Sequence, residues 1–407
     1  VTKISTDLAH MRRNLILLAT CQAFGQACNT AMFAATALSI IQFYPTRELA
    51  TLPTTLQHVG VMLSVFPAAL LMQRKGRRFG FRLASVFGMF GSALLGYGLF
   101  AQSFLVMCTA GLILGYAVAS LQMYRFAAVE LAPPEFTAKA ISWVTAGGVV
   151  AGVIGPAMVR WTHDQVDPPY LATYGGMIVF HLIVFTVMSF IRFPSHKPPA
   201  PSAATATAPV APPRPLLQIA MQPRFIAAAV CGMSSFGLMA LVMGASPLAV
   251  VACGLPHTET HLVIFLHVMG MFVPSFFTGH LITRFGIVRV MTAGIVVMVA
   301  AIFFALHGQS AWHFRIALTL NGVGWNFLFV AATTLVTTTY RPNEKGKAQA
   351  LNDFLVFGTT ATASFFAGLL QERIGWSPLN SNASFLLIGP ILAVTWLWFS
   401  KDTRRPA

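Results

Sequence analysis

A chain of 407 residues that is 56% hydrophobic and only 9% charged is not a water-soluble domain. Its 26 Lys and Arg outnumber 11 Asp and Glu for a formal net charge of +15, but they fall in alternate connections between apolar runs. That is the positive-inside pattern of a membrane protein and speaks against nucleic-acid binding. The five cysteines (Cys21, Cys28, Cys108, Cys231, Cys253) have no CxxC or zinc-type spacing and point to neither a disulfide framework nor a zinc module.

In chain order the apolar runs, each about 20 residues long, predict twelve spans. Span 1 covers Asn14–Ile41, span 2 Leu52–Leu71 and span 3 Leu83–Ala101. Span 4 is Phe104–Val129, span 5 Ala138–Val159 and span 6 Tyr174–Ile191. Arg12 and Arg13 precede span 1 as in a signal peptide, but no small-residue cleavage site follows, so span 1 is expected to be retained. Residues 194–215 are largely Pro, Ala, Ser and Thr, which predicts a cytoplasmic, partly polyproline-like linker. Beyond it come span 7 (Phe225–Val250), span 8 (His261–Ile282) and span 9 (Val288–Leu306). Span 10 is Ala311–Val336, span 11 Ala348–Leu370 and span 12 Phe385–Phe399. The expected domains are a six-helix half over 1–192, a linker over 193–223 and a second six-helix half over 224–407.

Arg74, Lys75, Arg77, Arg78 and Arg82 lie between spans 2 and 3, Arg284 and Arg289 between spans 8 and 9. Arg341, Lys345 and Lys347 lie between spans 10 and 11, with Lys401, Arg404 and Arg405 in the tail. Both termini are therefore expected in the cytoplasm. The halves also repeat: Ala69–Arg78 lines up with Gly279–Val288, and Pro134–Ala140 with Pro342–Ala348.

The first of these loops resembles the major facilitator superfamily, whose signature reads roughly G-x-L-x-D-R-x-G-R-R. Arg74, Gly76, Arg77 and Arg78 match it, while Gln73 stands at the Asp position and Ala69 at the Gly position. The second copy keeps Gly279, Leu281, Arg284 and Gly286, with Thr283 at the Asp position. The resemblance implies an all-α membrane protein of twelve transmembrane helices in two pseudo-symmetric six-helix halves. It implies transport by alternating access, no enzymatic activity, and Arg74, Gly76, Arg77, Arg78, Arg284 and Gly286 as conformational loops.

No Walker-type glycine loop, G-x-S-x-G or H-E-x-x-H is present. Gly148, Gly152 and Gly155 in span 5 read as close helix packing. Glu130 and Asp353 are the acids in or near spans, and Arg125 is placed to pair with Glu130. The central cavity is thus expected to be poor in formal charge, which argues against a sugar-phosphate or organic-anion substrate.

Sulfur and imidazole are what the spans offer instead. Met239 and Met243 lie one turn apart in span 7, and His267 and Met271 one turn apart in span 8. On antiparallel neighbours the four fall at two matching depths. Cys28 and Met32 in span 1, with His58 and Met62 in span 2, repeat the arrangement as a second candidate set. Soft thioether and thiol groups with imidazole favour monovalent copper. His257, Glu259 and His261 beside Cys253 form an outer polar loop, and His181 is a lone histidine in span 6. Cys231 and Cys253 lie roughly 33 Å apart along a straight helix, too far for a disulfide.

The Met pair and His/Met pair resemble the CcoA-like copper importers of the superfamily, which serve bacteria assembling cbb-type haem–copper oxidases. That resemblance implies Met239, Met243, His267 and Met271 as metal ligands and Cys231 and Cys253 as redox thiols. The expected function is copper import from periplasm to cytoplasm across a bacterial inner membrane. Copper is then substrate, no cofactor is permanently bound, and a cytoplasmic copper acceptor is the expected partner besides the lipid bilayer. Two alternatives stand beside it: export of a hydrophobic organic compound past a Met-lined cavity, and an intramembrane haem oxidoreductase using His58 and His267.

Overall fold

The computed structural model describes residues 2–133, 137–193, 214–341 and 344–400. Residues 194–213 of the expected linker, Pro134–Phe136 of the first repeat and the basic tail lie outside the described residues.

The first half consists of α1 (Thr2–Ile40), α2 (Leu52–Lys75), α3 (Arg77–Phe100), α4 (Phe104–Gln122), α5 (Tyr124–Glu130), α6 (Thr137–Thr162) and α7 (Leu171–Phe190). A short helix, α8 (Leu216–Ala220), leads into the second half. There follow α9 (Pro223–Ala252), α10 (His257–Phe272), α11 (Ser275–Phe285), α12 (Ile287–Leu306) and α13 (Ala311–Thr337). The chain closes with α14 (Lys345–Ile374), α15 (Trp376–Ala383) and α16 (Ile388–Phe399). Ten stretches among the described residues are long and apolar enough to cross a membrane. With α1 and α6 they complete an all-helical bundle of twelve crossings in two halves.

Three spans differ from expectation. Span 4 breaks at Met123 into α4 and α5. Span 8 breaks around Pro274, which has no N–H to give to the helix ladder, into α10 and α11. Span 12 begins earlier, at Trp376, and passes through a 3₁₀ turn at Ser384–Leu387. Its first turns are polar, so the apolar run alone located only its second part.

The duplicated loops share one backbone device. Gly76 ends α2 at φ 86° and ψ 156°, and Gly286 ends α11 at φ 87° and ψ 158°. Both lie in the positive-φ region that a Cβ disfavours. Each N–H closes the last helical turn, Gly76 to the Met72 carbonyl at 2.9 Å and Gly286 to that of Ile282 at 2.8 Å. The duplication extends to packing. A side chain on Gly60 or Gly111 of the α2/α4 interface would strike the Leu112 or Pro53 carbonyl. On the corresponding α10/α13 interface, Gly270 and Gly322 meet the Thr319 and His267 carbonyls in the same way.

The basic loop packs inside its own half. Arg77 donates to Glu130 at 2.6 Å; the side chain of Arg125, the partner expected from the sequence, lies outside the described residues. Arg78 donates to the Ser189 carbonyl, and Arg82 lies 4.4 Å above the Phe185 ring. At the same end of the second half, Arg214 grips the buried carboxylate of Glu344 at 2.6 Å and the Thr339 carbonyl at 3.0 Å. The backbone N–H groups of Arg214 and Arg341 add two bonds of 2.9 Å to that carboxylate. These donors hold the Glu344 carboxyl well below the usual carboxylate range.

The halves meet at the opposite end. Thr51 donates to the Ser364 carbonyl and accepts from the Gly368 N–H, both at 3.2 Å. Thr55 donates to the Ser364 hydroxyl at 3.3 Å, and Arg373 pairs with Glu48 at 2.9 Å. His163 and His261, one from each half, approach edge-to-face at 5.9 Å. Towards mid-bundle the glycine-rich stretch of α6 serves the same contact, as its packing reading anticipated: Gly148 faces Phe272 and Gly152 faces Val268 and Met269.

Candidate functional site in the central cavity

Between the halves lies a cavity of about 260 Å³, just below the usual range of roughly 300–1,000 Å³ for small-molecule sites. From Phe33, His58 and Met243 its lining runs to Gln22, Gln122, Phe276 and Val330, towards the end that carries the basic loops. Among the described residues, none of those lining it is Asp, Glu, Lys or Arg.

Local sequence explains the lining. Gln22, Gln26, Asn29, Thr30 and Phe33 fall at helical spacing on one stripe of α1. Phe236, Met239, Ala240 and Met243 do the same on α9. At the break between α10 and α11, Asn326 replaces lost ladder bonds. Its Nδ2 donates to the Met271 carbonyl at 2.7 Å and to the Ser275 hydroxyl at 2.6 Å, while its Oδ1 accepts from Thr278 at 2.6 Å. That anchors Met271, Phe272, Ser275 and Phe276 on the cavity wall.

The cavity unites part of the expected metal set and leaves the rest elsewhere. Met239, Met243 and Met271 line it together with His58, whose Nδ1–H donates to the Thr54 carbonyl at 2.9 Å. His267 is not on this surface. It is fully buried, and its Nδ1–H donates to the Leu318 carbonyl of α13 at 2.8 Å. Met32 is enclosed within the first half, and Met62 faces Gly358 on α14. Cys28 donates to the Met177 carbonyl at 3.6 Å and, with His181, borders a separate recess of about 20 Å³, about the space of one water. Cys231 is buried in α9, and Cys253, at the far end of that helix, reaches Gln309 at 3.5 Å. Among the described residues no three His, Cys, Asp or Glu side chains cluster within reach of one ion. A four-residue spacing fixes the face two side chains share, but not the neighbour that face meets.

The features that dominate the cavity were not singled out from the sequence. Phe236, Trp325, Phe329 and Phe357 form its aromatic wall, with Phe236 edge-on to Trp325 at 5.1 Å and to Phe329 at 4.7 Å. The polar stripe of span 1 was visible in its spacing, because Gln and Asn within a hydrocarbon-depth helix turn inward.

The major facilitator superfamily model matches residues 15–256 and 228–407. The chain belongs to the major facilitator superfamily. The riboflavin transporter RfnT of Brucella anthropi is 38% identical over 96% of this chain and 95% of its own length. An uncharacterized MFS-type transporter of Bacillus subtilis, YddS, is 24% identical over 95% and 91%. Among solved structures, a D-xylose–proton symporter has a TM-score of 0.71 at 13% identity, covering 96% of this chain and 98% of its own. A bacterial homologue of ferroportin has a TM-score of 0.65 at 14% identity, covering 95% and 98%. The structural likenesses show the fold. The family and the relatives named as transporters make this superfamily member a multi-pass membrane transporter.

The expectation of copper import is overturned by the Brucella relative, a vitamin transporter matching nearly end to end. The link to cbb-type oxidase assembly and the cytoplasmic copper acceptor fall with it. In the site itself, the ring of His267 lies off the cavity surface, and the three thioethers that line it share that surface with carboxamides and aromatic rings.

Proposed function

We propose that this superfamily member carries riboflavin across a bacterial inner membrane by alternating access. The observation that carries the reading is the 38% identity to a riboflavin transporter over 96% of the chain. The cavity chemistry supports it. Riboflavin is uncharged, flat over its ring system and rich in hydroxyls, and the lining is uncharged, aromatic and amide-bearing. Met239, Met243 and Met271 serve there as deformable apolar wall, a usual role of thioethers against aromatic ligands. His58 adds one polar group.

With the basic loops in the cytoplasm, the joined end faces outward and the cavity is the inward-facing state. The other state arises when the halves part at Thr51–Ser364 and Glu48–Arg373 and close at the basic end. Expression in a bacterial strain unable to synthesise or import riboflavin should restore growth on low riboflavin and accumulation of the labelled vitamin. Cellular copper should stay unchanged. A membrane-inserted protein that gives neither growth nor accumulation refutes the reading.

A further inference from the structure

The two walls of the cavity differ in chemistry. From the second half come aromatic rings: Trp325 and Phe329 lie 16° from parallel with centroids 5.3 Å apart, buttressed edge-on by Phe236. Trp325 is 8% exposed, and its Nε1–H has no acceptor among the described residues. A buried donor left unpaired costs free energy, which a ligand carbonyl or ring nitrogen at that atom would recover. The first half supplies Gln22, Gln26, Asn29 and Thr30 from one stripe of α1.

Resting on the riboflavin reading, we infer that the Trp325/Phe329 wall holds the isoalloxazine ring, the α1 stripe takes the ribityl hydroxyls, and the site rejects riboflavin 5′-phosphate. The tricyclic ring offers a flat face for stacking and carbonyls for the indole N–H. Ribityl hydroxyls donate and accept, and so do carboxamides. A 5′-phosphate brings roughly −1.5 to −2 charges to a wall that, among the described residues, has no Lys or Arg. Uncompensated charge at that depth is costly.

The test is flux into proteoliposomes of riboflavin and riboflavin 5′-phosphate, measured separately for the unmodified protein, Trp325→Ala, Trp325→Phe and Gln26→Arg. The unmodified protein should move riboflavin about tenfold faster or more, the discrimination that roughly 1.4 kcal/mol confers. Trp325→Ala should lower riboflavin flux by about tenfold, and Trp325→Phe by less, since it keeps the stacking face. Gln26→Arg should raise the phosphate-to-riboflavin flux ratio by about tenfold, because a cation now meets the phosphate. That ratio is internal to one protein and stays readable if Trp325→Ala folds poorly. Equal rates for the two flavins, or an unchanged ratio in Gln26→Arg, overturn the inference alone. So does full riboflavin flux in a well-folded Trp325→Ala. Transport of neither flavin by the unmodified protein overturns the riboflavin reading and this inference with it.

Discussion

His267, expected among the metal ligands, turns its Nδ1–H to the Leu318 carbonyl of α13, and its Nε2 is buried with no partner among the described residues. An imidazole at hydrocarbon depth is held in place by such a bond. His267→Ala should therefore act on stability. Removing a buried donor and leaving a space typically costs about 1–3 kcal/mol, to be read as a lowered melting temperature in detergent. Met243→Leu, by contrast, keeps an apolar wall of similar volume and should leave riboflavin uptake within about twofold of the unmodified protein. Glu344 carries a pH prediction. Its carboxyl is depressed by Arg214 and backbone donors, so the anion belongs to the folded state. The stability it confers is complete above the ordinary carboxylate range, about pH 4.3, and is lost as pH falls through its lower folded value. Glu344→Gln should lower the melting temperature at pH 7, and the gap to the unmodified protein should shrink below about pH 4.

At the scale of elements, what could be read was whatever repeats or runs long. The apolar runs located the bundle, and the paired glycines at Gly76 and Gly286 located its duplicated turns, because a positive φ restricts the choice of residue. Breaks within spans were not legible. Pro274 lies in an apolar stretch, and its effect depends on Asn326 of α13, which no local pattern ties to it. Asn326→Ala leaves the Met271 carbonyl and the Thr278 hydroxyl short of that partner. It should cost about 1–3 kcal/mol in thermal stability and lower riboflavin affinity through the displaced wall, measurable by flavin fluorescence titration. The aromatic wall stayed hidden for the same reason: Phe236, Trp325, Phe329 and Phe357 come from α9, α13 and α14, and only tertiary packing brings them together.

For the whole molecule, the decisive relation is between the charge-free cavity and the closure above it. Glu48–Arg373 is exposed on the arginine side, 61%, and such pairs contribute at most about 1 kcal/mol. Arg373→Ala should shift the balance of states by no more than about fivefold. A cysteine introduced at Phe33, in a Cys253→Ser background, reports that shift as faster labelling by an impermeant maleimide from outside. An unchanged labelling rate would show that this ion pair contributes nothing to the closure.

Those hydroxyl contacts have a consequence for the direction of travel. Thr51, Thr54, Thr55 and Ser364 can exchange one another for water at little net cost, since each hydrogen bond lost is replaced by one of similar strength. These contacts then favour neither facing strongly, and on the riboflavin reading proposed above the neutral passenger adds no electrical work to the crossing. With no coupled ion, such a carrier is expected to fill or empty the cell according to which side holds more of the vitamin.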